Sequence, residues 1–309
     1  MRIIFVSFDE EGWQCLNKIM ELNGNVVGVF TLEEELRKKM SGNKAFDDLA
    51  EKYNIPLFKI RNINDEKTLK QIQKLNPDIS FVVGWSQLVK REYLSLSKNR
   101  CIGIHPTLLP KHRGRAPLPW AIIFGLRKTG VTMFYIKEEA DNGDIIGQVE
   151  VDITDEDDAK SLYQKILAAH VKLIEEYFPL ILSGNAPRIP QDERRASYWT
   201  KRVPRDGIID WNTCACSLYD WIRALTDPYP GAFTFLNDKK LFVWKSRLIS
   251  KSGTHSKTGE IIEIDQEGLT LSTGQGLLKV TSVQLEGENR LEGPAIYESH
   301  IFHKGEQLG

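Results

Sequence analysis

Little in this chain points to covalent staples, membranes or a resident nucleotide. Cysteine is scarce, with four in 309 residues (Cys15, Cys101, Cys214 and Cys216), which argues against a disulfide framework and suits a reducing, cytoplasmic setting. Cys214 and Cys216 stand too close together for a usual zinc knuckle and no second pair answers them, so no metal is expected. No apolar run approaches the roughly 20 residues of a membrane span. The opening MRIIFVSFDEEGW passes straight into a strand with acidic residues behind it, which is not the pattern of a secretory signal. Charge of one sign is missing too: the formal net charge is −1, so no general field draws DNA or a membrane surface. A GxGxxG turn is absent after the first strand, which makes a dinucleotide cofactor unexpected. What remains is an ordinary globular composition, 41% apolar and 27% charged, in a chain long enough for two domains.

Apolar runs of strand length recur at Arg2–Ser7, Asn25–Thr31, Ile55–Ile60, Asp78–Val83 and Cys101–His105. Between them lie stretches with helical spacing, at 11–23, 43–53 and 65–75, and a further one follows around 118–124. That alternation predicts an α/β fold with a mostly parallel, Rossmann-like sheet and helices on both faces. Gly130–Lys137 and Ile145–Val151, on either side of the turn-forming Asp141-Asn142-Gly143-Asp144, read as an antiparallel pair extending the sheet. One long helix is expected over 157–183. Residues 184–206 lose periodicity and collect proline and charge, so they read as a linker between a domain at 1–183 and one at 207–309. The latter opens with a helix near 213–225 and continues as short strands, a pattern that suits a small, OB-like β-barrel.

The segment RCIGIHPTLLPKHRGRAP, residues 100–117, is the one the chain is organised around. A buried strand ends on His105, breaks at Pro106 and opens into a loop carrying Lys111, His112, Arg113 and Arg115. Ligands of open α/β sheets bind outside the carboxyl ends of the strands. Gly103 and His105 share one strand face, and Asp141 lies at the next polar turn after another strand, so the two could form an oriented imidazole base. Asp141 could equally cap a turn. Arg113 and Arg115 offer forks for phosphate or carboxylate, or a solvated loop. His112 reads as a surface residue, and nothing marks His300 or His303 as ligands.

HPTLLPKHRGRAPLPWAI, followed by TGVTMFYIKEEADNGDIIGQ, resembles the formyltransferases that use formyltetrahydrofolate. The likeness extends through MRIIFVS and NVVGVFT to KRVPRDGIIDWN and IRALTDPYPGAFTFL, nearly the whole chain. It includes the separation of 36 positions between His105 and Asp141. It implies 10-formyltetrahydrofolate as formyl donor, His105 moving the proton of an attacking amine, and Asp141 setting the tautomer of His105 and raising its basicity. It also implies a pterin slot in Gly84, Trp85, Ser86, Gln87 and Leu88, with Asp144 placing a water or capping its turn. Thr107, Arg113 and Arg115 become the substrate-binding candidates.

One position departs from the family. Where its pattern has asparagine two residues before the histidine, this chain has Gly103. Loss of one oxyanion donor typically costs on the order of a hundred-fold in rate. The missing side chain is expected to leave a gap lined by polar groups, holding a water or a neighbour such as Asn142. For the acceptor, the resemblance favours the amino group of a nucleoside-diphosphate amino-deoxysugar over the methionyl amine of initiator tRNA. The stretch TLEEELRKK, residues 31–39, has acids and bases that nearly cancel, whereas phosphate contacts dominate nucleic-acid affinity. A folate- or sugar-nucleotide-binding homologue without catalysis is the third reading, and a second copy of the chain is the other partner considered.

Overall fold

The computed structural model describes residues 1–98, 100–253 and 257–309, and the chain divides into two compact units. The first takes residues 1–117, 128–152 and 163–200, the second residues 118–127, 153–162 and 201–309. Strands of the first unit are β1 (Ile3–Val6), β2 (Val26–Leu32), β3 (Leu57–Ile60), β4 (Ile79–Val83) and β5 (Cys101–His105). They are followed by a two-residue β6 (Arg113–Gly114), then β7 (Lys128–Tyr135), β8 (Ile145–Asp152) and another two-residue strand, β9 (Tyr198–Trp199). Seven of these form one sheet in the order β3-β2-β1-β4-β5-β7-β8. β1 to β5 run parallel, while β7 and β8 pair antiparallel at one edge. The expected alternation and hairpin are both present. β6 and β9 pair with each other.

Helices cover both faces, as near-continuous apolar parallel strands require. On one face Phe5 stacks on Phe81, and Phe81 meets Phe178 of the helix Ala159–Ser183. The helix Glu10–Glu21 buries Cys15, Leu16 and Ile19; the Asp9 carboxylate caps it by accepting from the Gly12 N–H. On the other face Ile4, Val6, Phe30, Val82 and Cys101 pack with Ile72 of Glu66–Leu75 and with Tyr93 and Leu94 of Arg91–Leu96. His105, two residues on from Gly103 and four from Cys101, ends β5 on that second face. Residues 184–206 differ from a plain linker: through Thr200 they belong to the first unit. Their lack of periodicity reflects side chains spent on hydrogen bonds to that unit rather than an absence of contacts.

In the second unit the helix Ala215–Leu225 precedes β10 (Ala232–Leu236), β11 (Lys239–Ser250), β12 (Ile261–Asp265), β13 (Gly268–Ser272), β14 (Leu277–Leu285) and β15 (Leu291–Glu292). These make a six-stranded antiparallel sheet, β10-β11-β14-β13-β12 with β15 on β14, in keeping with a small barrel-like domain. β11 is longer than expected and keeps pairing with β14 through several register shifts, the bulges by which a long strand bends. Among the described residues no helix is long and apolar enough to cross a membrane.

A buried titratable cluster lies just past β1. Asp9, Glu11 and His170 are each at least nine-tenths buried, with His170 Nε2 3.4 Å from Glu11 Oε2. Burial raises the Glu11 carboxyl from 4.5 to about 7, pushes Asp9 well up, and lowers His170 from 6.5 to about 4. Between pH 4.5 and 7 the folded chain holds a proton on Glu11 that the unfolded chain has released, so this group's share of stability falls as pH rises through that window. His170 acts oppositely between pH 4 and 6.5, where the unfolded chain takes up the proton. Glu11→Gln, a mimic of the neutral carboxyl, is therefore expected to gain on the parent by about 1–3 kcal/mol between pH 5 and pH 8 in denaturant titrations. An equal difference at both pH values would show that Glu11 is not held neutral.

Candidate functional site

The carboxyl ends of β4 and β5, adjacent and in register with Val83 opposite Ile104, bring together the Gly84–Leu88 loop and His105. His105 is 7% exposed. Its Nε2 lies 3.1 Å from the carbonyl oxygen of His112; a carbonyl only accepts, so Nε2 carries the hydrogen and the neutral ring presents its lone pair at Nδ1. Nδ1 faces Asp141 Oδ2 at 3.8 Å, beyond hydrogen-bond length. The same oxygen accepts the Gly114 N–H at 2.9 Å. The two residues expected to meet therefore do meet, although the tautomer is set by the His112 carbonyl and not by Asp141.

His112 is only partly exposed. Its ring stacks on Trp199 at 3.9 Å with an interplanar angle of 1°, its N–H donates to the Ser197 hydroxyl, and burial, helped by Lys111 and His105, lowers its pKa. Arg113 also departs from expectation. It is fully buried, and all five of its N–H donors are spent: Nε and Nη2 on Gln191 Oε1, Nη1 and Nη2 on the Glu193 carboxylate, and Nη1 on the Tyr198 hydroxyl. Nothing is left for a substrate phosphate. Thr107 is likewise buried, its hydroxyl donating to the Lys111 carbonyl, so it closes the proline turn and does not face a substrate. Arg115 is exposed and donates to the Ser86 carbonyl at 2.9 Å, tying its own loop to the one after β4.

In that loop Gly84 has φ +60°, and a Cβ there would fall 1.8 Å from Asp9 Oδ2, so only glycine fits. Gln87 is spent on the Ile63 N–H and the Arg61 carbonyl; the Leu88 side chain is exposed while its carbonyl accepts from Asn64. Trp85 packs on Phe8, and its buried indole N–H has no acceptor among the described residues. Asp144 pairs with Lys137 at 3.0 Å and with Arg188 at 3.7 Å, while its carbonyl accepts the Tyr135 N–H. Asn142 donates to Glu139, and its buried Oδ1 is also without a partner among the described residues.

The surroundings of Gly103 overturn the expected polar gap. A Cβ there would lie 3.0–3.1 Å from Ile136 and Phe134 carbons: hydrocarbon fills the volume an amide would need, and Asn142 is not among its nearest neighbours. Sequence reading also missed Gln191, Ser197 and Trp199. They sit in the stretch without periodicity, where no pattern distinguishes a structural side chain from a solvated one.

A model described as formyl transferase matches residues 1–177, and one described as formyl transferase, C-terminal domain, matches residues 202–300. The chain belongs to the formyl transferase family. A methionyl-tRNA formyltransferase of Clostridioides difficile is 33% identical over 311 residues, covering all of both chains. The bifunctional polymyxin resistance protein ArnA of Wigglesworthia glossinidia brevipalpis is 34% identical over 284 residues, 92% of this chain but 43% of that protein, so the chain spans less than half of that relative's length. Among solved structures, an N-formyltransferase from Helicobacter canadensis in complex with folinic acid and dTDP-3-aminofucose shares the fold, with a TM-score of 0.69 at 20% identity over 90% of this chain and 98% of that one.

Against this family background Gly103→Asn becomes a sharp test. The added amide has to displace Phe134 or Ile136, and overpacking of this kind costs about 1–3 kcal/mol. We expect a lower unfolding free energy and no gain in formyl transfer. A more active variant would show that Ile136 swings aside to admit the amide.

Proposed function

We propose that this formyl transferase takes its formyl group from 10-formyltetrahydrofolate and delivers it to an amine, with His105 and Asp141 as the working pair. The observation that carries the reading is the imidazole at the end of β5 with its lone pair at Nδ1 and a carboxylate 3.8 Å beyond. The folate fits the residues present: Gly84–Leu88 would hold the pterin, and the buried Trp85 N–H and Asn142 Oδ1, without partners among the described residues, are polar groups of the kind a heterocycle satisfies. When bound, the folate supplies an activated formyl group on a nitrogen. His105 takes up, at Nδ1, the proton that the attacking amine releases, and it would return that proton to the folate nitrogen from which the formyl group departs. The imidazolium so formed sits 3.8 Å from Asp141, a Coulomb attraction of roughly 4 kcal/mol at an effective dielectric constant near 20, before desolvation is subtracted.

For the acceptor, the reading is a nucleoside-diphosphate amino-deoxysugar. It is supported by the segment after β2, where Lys38 pairs with Glu34 and Arg37 donates to Asn43, and by the neighbouring edge strand β3, where Lys59 pairs with Asp47 and Arg61, just beyond it, with Glu33. Such a segment offers few unpaired cations to a phosphate backbone. Methionyl-tRNA is the second reading, favoured by the full-length 33% identity to a methionyl-tRNA formyltransferase.

Formyl transfer from 10-formyltetrahydrofolate, followed across a panel of nucleoside-diphosphate amino-sugars and charged initiator tRNA, decides between them. Transfer to tRNA alone would overturn the sugar reading, and tight folate binding with no transfer to any amine would indicate a binding homologue. In the productive pairing His105→Ala is expected to lower kcat by roughly two to four orders of magnitude, and Asp141→Asn by roughly two or more, with the fold intact by circular dichroism. Wild-type turnover in either variant would remove that residue from the mechanism.

A further inference from the structure

Asp141 occupies an unusual backbone position. Its φ is +56°, in the left-handed region that residues with side chains enter less readily than glycine, aspartate and asparagine most easily among them. The Gln191 amide braces the turn around it. Its Nε2 donates to the Asp141 carbonyl at 2.8 Å and to the Gly143 carbonyl at 2.7 Å, gripping both sides of the turn that ends in Asp144. Its Oε1 accepts from Arg113 Nε at 3.2 Å and Nη2 at 2.7 Å. Both hydrogens and both lone pairs of the amide are used, and a flipped amide would set oxygen against two carbonyls and nitrogen against a guanidinium. Only one orientation is therefore compatible with the site.

We infer that Gln191 is a positioning residue for formyl transfer, holding the Asp141 turn so that its carboxylate faces His105. The inference rests on the roles assigned above to His105 and Asp141. The chain of contacts is short: buried Arg113 fixes the Gln191 oxygen, the Gln191 nitrogen fixes the backbone of Asp141 and Gly143, and Asp141 Oδ2 then reaches the Gly114 N–H at 2.9 Å and stands 3.8 Å from His105. The same stretch fixes the other side of the imidazole. The Ser197 hydroxyl takes the His112 N–H at 2.9 Å and Trp199 lies flat on the His112 ring, which holds the carbonyl that sets the His105 tautomer. Gly114 closes the arrangement, because with φ +104° a Cβ there would sit 2.5 Å from the Trp199 carbonyl oxygen.

A residue that merely joins two parts of the unit would weaken folding without acting through Asp141, and two variants separate the cases. Gln191→Ala removes the whole clamp. Gln191→Glu keeps an acceptor for Arg113 but turns an oxygen toward the two carbonyls. Each, on its own, is expected to lower kcat roughly ten-fold or more while the acceptor KM changes less than about three-fold. In an Asp141→Asn background neither is expected to lower kcat further by more than about two-fold, since residues acting as a unit are not additive. Hydrogen exchange in the ligand-free protein gives a readout that needs no reaction: the Gly114 amide, which donates to Asp141, should exchange roughly ten-fold faster in Gln191→Ala while amides of β1 and β4 keep their protection. Equal losses with and without Asp141→Asn, or an unchanged Gly114 amide, would overturn the inference. If the parent protein transfers formyl to no amine, the transferase reading falls and the Gly114 exchange rate alone decides for or against the Gln191 clamp.

Discussion

A guanidinium sealed from water has to find partners for its charge and its five donors, or the fold bears the full cost of burying it. Arg113 is such a group, and its partners lie 78 to 85 positions later in the chain. Bringing them in draws residues 191–199 onto the first unit and creates the β6–β9 pairing. It also explains why this stretch looks featureless in the sequence. Its prolines and charges resemble those of a linker, yet part of that charge is paired: Arg194 with Asp192, and Glu193, held below its usual carboxylate range chiefly by its bond to Arg113.

The architecture of the first unit was legible because its physics is local. Apolar runs bounded by turn residues became β1 to β5, and the acid- and glycine-containing turn before Ile145 became the bend between β7 and β8. That His105 and Asp141 come close was legible from adjacent strand ends, while the roles proposed for them came from the family resemblance. The structural roles of Arg113 and Thr107 were not legible, because a loop arginine or threonine reads the same whether it faces water, a substrate or a buried partner. The side chains that surround Gly103 were hidden for a related reason: Phe134 of β7 and Ile136, one residue past its end, reach it across the sheet, and the pairing of β5 with β7 was known only once the sheet order was.

Gly103 also separates two properties that the family pattern joins. The strand, the imidazole and the carboxylate are kept, while the place of the amide is taken by hydrocarbon. In the proposed transfer, a charge-stabilising donor for the formyl oxygen would have to come from outside that strand face. Beside His105, the loop 84–88 holds the Trp85 indole N–H, a donor without an acceptor among the described residues, whereas the strand face at Gly103 offers only carbon.

The pairing of β6 with β9 fixes an order of events during synthesis. Residues 113–114 leave the ribosome long before residues 198–199, their partners in that pairing. At typical elongation rates of about 5–20 residues per second, the 85 intervening positions correspond to roughly 4–17 s. The five parallel strands can assemble in that interval, since all their residues are already present. Arg113 and the turn at Asp141 cannot settle until the later segment arrives and closes a loop of high sequence separation. The nascent chain thus has its sheet well before it has its ordered imidazole–carboxylate pair, and chemical competence is among the last things this unit acquires.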